Sequence, residues 1–157
     1  GLGMAALGRP GYINLGHAED LADRSVDAMR LQAHEVLDAA YAAGLRYIDC
    51  ARSYGMSEEF VSTWLASRPD AAAEVTVGSK WGYEYTANWR VTVGDGEAHE
   101  VKELSEARFR RQLDETRALL PHVALYQIHS ASLGVLEDEA VLRALGELRD
   151  AGTVIGL

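Results

Sequence analysis

Four titratable side chains, Asp49, Tyr54, Lys80 and His129, stand where the sequence could bring them into one site. Asp49 closes the apolar stretch LRYID, and Tyr54-Gly55 follows ahead of the helix-like SEEFVSTWLAS. Lys80 closes EVTVGSK and His129 closes VALYQIH. A phenol titrating near ~10 is a poor acid–base catalyst at neutral pH. A lysine ammonium within hydrogen-bond reach favours its ionised form, and a carboxylate beside the lysine keeps that ammonium charged and in place. A histidine can then orient a carbonyl oxygen or help relay its proton. Taken singly, each residue has a plain explanation. Asp49 could cap a turn, Tyr54-Gly55 could be a surface turn, Lys80 a solvated strand end, and His129 a satisfied histidine at a sheet rim. The joint pattern carries the weight, because three successive strands each end in a titratable residue, and ligands bind at the carboxyl ends of parallel strands.

Apolar spacing and punctuation predict four helices to position these residues. The first, over about 30–43, places Ala33, Val36, Leu37, Ala40 and Tyr41 on one face and ends at Gly44. The second, over about 57–67, takes Ser57 as N-cap, Glu58 and Glu59 in its first turn, and Pro69 beyond its end. The third, over about 105–120, runs from Ser105 to Pro121. The fourth, over about 136–150, buries Val141, Leu142, Leu145 and Leu148 and stops at Gly152. Between them lie the strand-like runs 45–49, 74–80, 123–129 and 153–157, with GLGMAALG as a further strand at the start. Strand alternating with helix is the mark of βαβ units and a parallel sheet, either doubly wound or a (β/α)8 barrel. One connection stands apart: about 22 residues from Trp81 to Lys102 separate a strand from its helix. This stretch carries Trp81, Tyr83, Tyr85 and Trp89, and RVTVGDGEAHEVKEL within it reads as a hairpin turning at Asp95-Gly96.

The bulk composition narrows the function classes. The 157 residues are enough for one domain with a proper core, and 48% hydrophobic with 25% charged is a globular profile. A formal charge of −9 argues against nucleic-acid or anionic-membrane binding. No apolar run approaches the ~18 residues of a membrane span. Cys50 is the one cysteine, so no disulfide framework exists, and a reducing cytoplasm is expected. The five histidines, His17 among them, show no metal-ligand spacing, and no metal is expected. The chain begins at Gly1 and stops within the apolar AGTVIGL, which reads as an interrupted strand of a longer protein.

At this point a resemblance becomes specific. GLRYIDCARSYGMSEE resembles the aldo-keto reductase signature, in which a strand ends in Asp and Tyr-Gly follows. VGSKWG is similar to the family's lysine strand, LYQIHS to its histidine strand, and GLGMAALG to its glycine-rich first strand. All four occur in the family's order, so the likeness covers essentially the whole chain. The resemblance implies a (β/α)8 TIM barrel of which residues 1–157 are the N-terminal part, strands 1 to about 5. It implies an NADPH-dependent oxidoreductase that reduces an aldehyde or ketone to an alcohol by hydride transfer. In that scheme Tyr54 donates the proton, Lys80 activates it, Asp49 pairs with Lys80, and His129 positions the carbonyl. Gly3, Met4 and Asp49 would lie near the cofactor, with NADH the alternative to NADPH, and Trp81 and Tyr83 would line the small-molecule carbonyl site.

The dinucleotide fingerprint G-x-G-x-x-A also matches GLGMAA, but Gly8, Pro10 and Gly11 interrupt any helix directly after it. A threonine is common in the family where Met4 stands. A barrel of this kind needs ~250 residues, and the family's main cofactor contacts come from strands after the fifth. The rival expectation is therefore an aldo-keto-reductase-like binding or regulatory subunit, or an inactive fragment, without turnover.

Overall fold

The structure is a computed structural model that describes residues 1–11 and 23–156. His17 and Leu157 lie outside the described residues. Five strands form one parallel sheet: β1 (Leu2–Gly3), β2 (Tyr47–Asp49), β3 (Thr76–Trp81), β6 (Leu125–Ile128) and β7 (Val154–Gly156). They lie side by side in chain order. A doubly wound sheet reverses its order at a switch point, whereas a barrel adds each strand on the same side. The chain-order sheet with helices packed against it is the N-terminal half of a (β/α)8 barrel. Two further strands, β4 (Tyr83–Tyr85) and β5 (Glu100–Lys102), make a separate antiparallel pair.

The helices are α1 (Val26–Ala42), α2 (Ser57–Ser67), α3 (Pro69–Glu74), α4 (Glu106–Leu119), α5 (Leu133–Leu136) and α6 (Glu139–Asp150). Helix α1 starts four residues before the expected 30, because the Ser25 hydroxyl accepts from the Ala28 N–H at 3.2 Å and Met29 joins the buried stripe. Ser105 caps α4 as its sequence position suggests, accepting from the Arg108 N–H at 3.1 Å. Gly44 and Gly152 terminate α1 and α6 at φ +85° and +97°, a backbone region that costs glycine little.

Elsewhere tertiary structure overrides the local reading. Ser57 is the first residue of α2, not its cap, and its hydroxyl donates back to the Ala51 carbonyl at 3.3 Å. Pro69 opens α3 at its first turn, where a missing N–H costs nothing. The expected fourth helix is broken: Asp138 caps α6, accepting from the N–H groups of Ala140 and Val141, and the short α5 precedes it. Within α6, Ala144 is buried beside Val141, Leu145 and Leu148, whereas Leu142 is 44% exposed. The hairpin exists, but its first strand is Tyr83–Tyr85 rather than the RVTV run. Asp95-Gly96 forms a local turn instead, with the Glu97 N–H on the Gly94 carbonyl at 3.0 Å and Gly96 at φ +83°.

Alternation separates the two sheet faces. Ile48, Cys50, Val77, Ser79, Trp81, Tyr126 and Ile128 are buried, and this face meets the helices. Trp81 packs edge-on against Phe109 of α4, ring centroids 5.1 Å apart. Tyr47, Asp49, Lys80, Leu125 and Gln127 share the other, partly open face. Cys50, expected against a helix from its parity with Asp49, is fully buried there, and burial pushes its thiol up.

Candidate active site

The strand ladder places Asp49 opposite Gly78 in β3, so Lys80 stands one inward position further along the same face. Its ammonium reaches Asp49 Oδ2 at 2.5 Å, the Cys50 carbonyl at 3.1 Å and the Tyr54 hydroxyl at 3.4 Å. Three acceptors thus meet the three donors of one ammonium. The salt bridge is part-buried, with side-chain exposures of 15% for Lys80 and 27% for Asp49, so water screens it only partially.

Tyr54 sits in the turn from β2 to α2, its N–H on the Ala51 carbonyl at 3.0 Å. Two glycines make this turn possible. Gly55 has φ +61°, and a Cβ on Gly8 would stand 2.1 Å from the Tyr54 carbonyl oxygen. The loop after β1 therefore lies backbone to backbone on the tyrosine turn, joined by the Met56 N–H donating to the Gly8 carbonyl at 2.7 Å.

His129 continues the β6 ladder, its N–H on the Trp81 carbonyl at 2.9 Å. Its ring meets Tyr54 edge-on, centroids 5.5 Å apart and planes at 89°, and Tyr83 approaches from the hairpin at 4.9 Å. Burial, then the Lys80 ammonium, hold the imidazole below its ordinary pKa, which favours the neutral ring. Asp49, Tyr54, Lys80 and His129 thus converge at one end of the sheet. Tyr83 joins them.

Two other expected site residues lie elsewhere. Trp81, expected at the substrate mouth, is fully buried on the helix side, because it follows the inward Lys80 and must point the other way. Met4 contributes its side chain to the core and is fully buried, so only its backbone stands near Asp49, its N–H on the Asp49 carbonyl at 2.9 Å. Gly3 pairs with Asp49, and no atom lies within 4 Å of where its Cβ would be. Trp89 packs against Phe60, and its indole N–H donates to the Arg24 carbonyl.

Sequence reasoning missed the supports. Arg9 is 5% exposed, donates to the Ser53 carbonyl at 3.0 Å, and forms an ion pair with Glu100 of β5 at 2.9 Å. Beneath the tyrosine turn, Glu58 is 3% exposed rather than a solvated first-turn acid. It accepts from Ser79 at 2.5 Å, Thr116 at 2.8 Å and Arg52 at 2.5 Å, and Arg52 also reaches Glu115. Glu58 thereby ties α2, β3 and α4 to the loop that carries Tyr54. Glu58→Ala leaves two buried hydroxyls and Arg52 short of an acceptor, so it is expected to cost about 3 kcal/mol. Chemical denaturation measures this; a midpoint equal to the parent's would show that the contacts contribute nothing net.

A cleft of about 280 Å³ lies at the opposite end of the strands among Leu65, Val75, Leu119, Pro121 and His122. It is apolar and far from the converging side chains. No helix among the described residues is long and apolar enough to cross a membrane, and no described cluster of His, Cys, Asp or Glu could hold a metal.

A half-barrel with an Asp–Lys–Tyr–His cluster at its strand ends defines the class of protein. The Aldo/keto reductase family profile matches residues 1–156, and the chain belongs to that family. Over 81 residues it is 32% identical to an aldo-keto reductase of Strobilurus tenacellus, covering 52% of this chain and 20% of that protein. A Pseudomonas aeruginosa protein described as an aldo-keto reductase matches with a TM-score of 0.69 at 26% identity, over 99% of this chain and 52% of its own. The glycerol dehydrogenase of Gluconobacter oxydans matches with a TM-score of 0.63 at 25% identity, over 99% of this chain and 42% of its own. The chain thus spans about half the length, or less, of the proteins it matches.

Proposed function

We propose that residues 1–157 carry the proton-transfer half of a nicotinamide-dependent reductase that converts an aldehyde or ketone to an alcohol. The observation that carries this reading is the Lys80 ammonium held between the Asp49 carboxylate and the Tyr54 hydroxyl. Asp49 pairs with Lys80 and fixes its reach. Lys80 stabilises negative charge on the Tyr54 oxygen once its proton has moved to the nascent alkoxide. His129, kept neutral, donates a hydrogen bond to the carbonyl oxygen and orients it. Tyr83 in the hairpin walls the substrate side.

The cofactor would be NADPH, or NADH in its place, and it supplies the hydride when bound. Gly3 and Asp49 fit such a group: the glycine leaves open space on the sheet face that bears the carboxylate. Met4 would contribute backbone alone. The remaining contacts belong to strands that the family places after the fifth.

The test is consumption of NADPH with a reactive aromatic aldehyde, followed by loss of the reduced nicotinamide absorbance. Aldehyde-dependent consumption is the expected result. Nicotinamide binding without turnover would replace the reductase reading with that of a binding or regulatory subunit.

A further inference from the structure

The residue before Tyr54 is a serine with no exposed surface, and its carbonyl and hydroxyl each meet a residue distant in sequence. Its carbonyl accepts from Arg9, whose guanidinium carbon stands 5.9 Å from the centre of the Tyr54 ring and whose Nη1 also reaches Glu100. Its hydroxyl lies 3.4 Å from Nδ1 of His129, its one hydrogen-bond partner among the described residues. Arg9 and Glu100 thereby pin the backbone at Ser53, and the hydroxyl rotor is left facing the imidazole.

A contact between a hydroxyl and a neutral imidazole can run either way. If Nδ1 carried the ring proton, the serine would accept and its own O–H would have no acceptor among the described residues. A buried donor without an acceptor forfeits its hydration with no return. If Nδ1 is bare, the serine donates to it, both groups are satisfied, and the ring proton sits on Nε2. The doubly protonated ring is disfavoured by burial and by the Lys80 ammonium.

We propose that Ser53, anchored by Arg9, is a positioning residue that donates to Nδ1 of His129 and keeps the ring proton on Nε2. The inference rests on the reading of His129 as the group that orients the carbonyl. It adds the reason this histidine has a donor to offer: the tautomer is chosen by the neighbour of the catalytic tyrosine. Tyr54 and Ser53 then act from one turn, the first supplying a proton and the second aiming the residue that holds the substrate oxygen.

The experiment is nitrogen NMR of the full chain labelled in its histidine rings, above neutral pH. His129 is assigned by the signals lost in His129→Gln. The parent is expected to show Nδ1 bare and Nε2 protonated. Ser53→Ala is expected to move both shifts toward a mixture of tautomers. A parent ring protonated on Nδ1 overturns the proposal, as does a Ser53→Ala spectrum identical to the parent's. Should Ser53→Ala fail to fold, the parent spectrum alone decides. None of this needs cofactor or turnover, so absence of reductase activity would remove the functional reading and leave the tautomer result standing. In the active protein, Ser53→Ala is expected to lower kcat about tenfold with little change in KM, the scale of one hydrogen bond. An unchanged kcat also overturns it.

Discussion

Tyr54→Phe is expected to lower carbonyl reduction by about 10²–10⁴-fold, the usual worth of a positioned general acid. Phenylalanine keeps the ring, its edge-on contact with His129 and its place beneath Lys80 and Arg9. What disappears is the hydroxyl 3.4 Å from the Lys80 ammonium. Cofactor affinity and melting temperature should stay near those of the parent, because that hydroxyl has one described partner and no part in the core. The measurement is kcat beside a cofactor titration of both proteins. Equal turnover in the two would remove Tyr54 as proton donor, whatever else the barrel does.

Lys80→Met is expected to be as damaging to turnover, and unlike the tyrosine change it should also destabilise the fold. Methionine matches the length of the lysine stem and lacks its three donors. Asp49, 27% exposed, loses its ammonium, and the Cys50 carbonyl loses a donor. A cost of about 1–3 kcal/mol is the scale for a part-buried polar group left without its partner. Residues that act as one unit fail together. The double variant Tyr54→Phe/Lys80→Met should therefore turn over no more slowly than the worse single variant. Multiplied losses in the double variant would mean that Lys80 serves turnover by a route independent of Tyr54.

Much of this arrangement was legible from pattern. Period-3.6 spacing located the main helices, and Ser105, Gly44 and Gly152 marked ends because capping is a local matter. The convergence of Asp49, Lys80 and His129 followed from three parallel strands ending in polar residues. What was hidden depended on contacts distant in sequence. Glu58 looks like an ordinary first-turn acid until Ser79 and Thr116 close over it. Arg9 and Glu100 are 91 positions apart and meet only when the hairpin folds over the first loop. RVTV has strand-forming residues, yet it is Tyr83–Tyr85, one residue beyond β3, that pairs with the returning Glu100–Lys102. Trp81 was recoverable: the alternation that turned Cys50 toward the helices turns Trp81 the same way.

The solitary thiol makes the molecule its own stopwatch. Cys50 adjoins Asp49, lends its carbonyl to Lys80, and keeps its sulfur sealed behind the sheet. A thiol reagent can reach that sulfur only while the floor beneath the tyrosine turn is apart. The rate at which the reagent is consumed therefore reports how often the ground under the site gives way, with no label added and no residue changed.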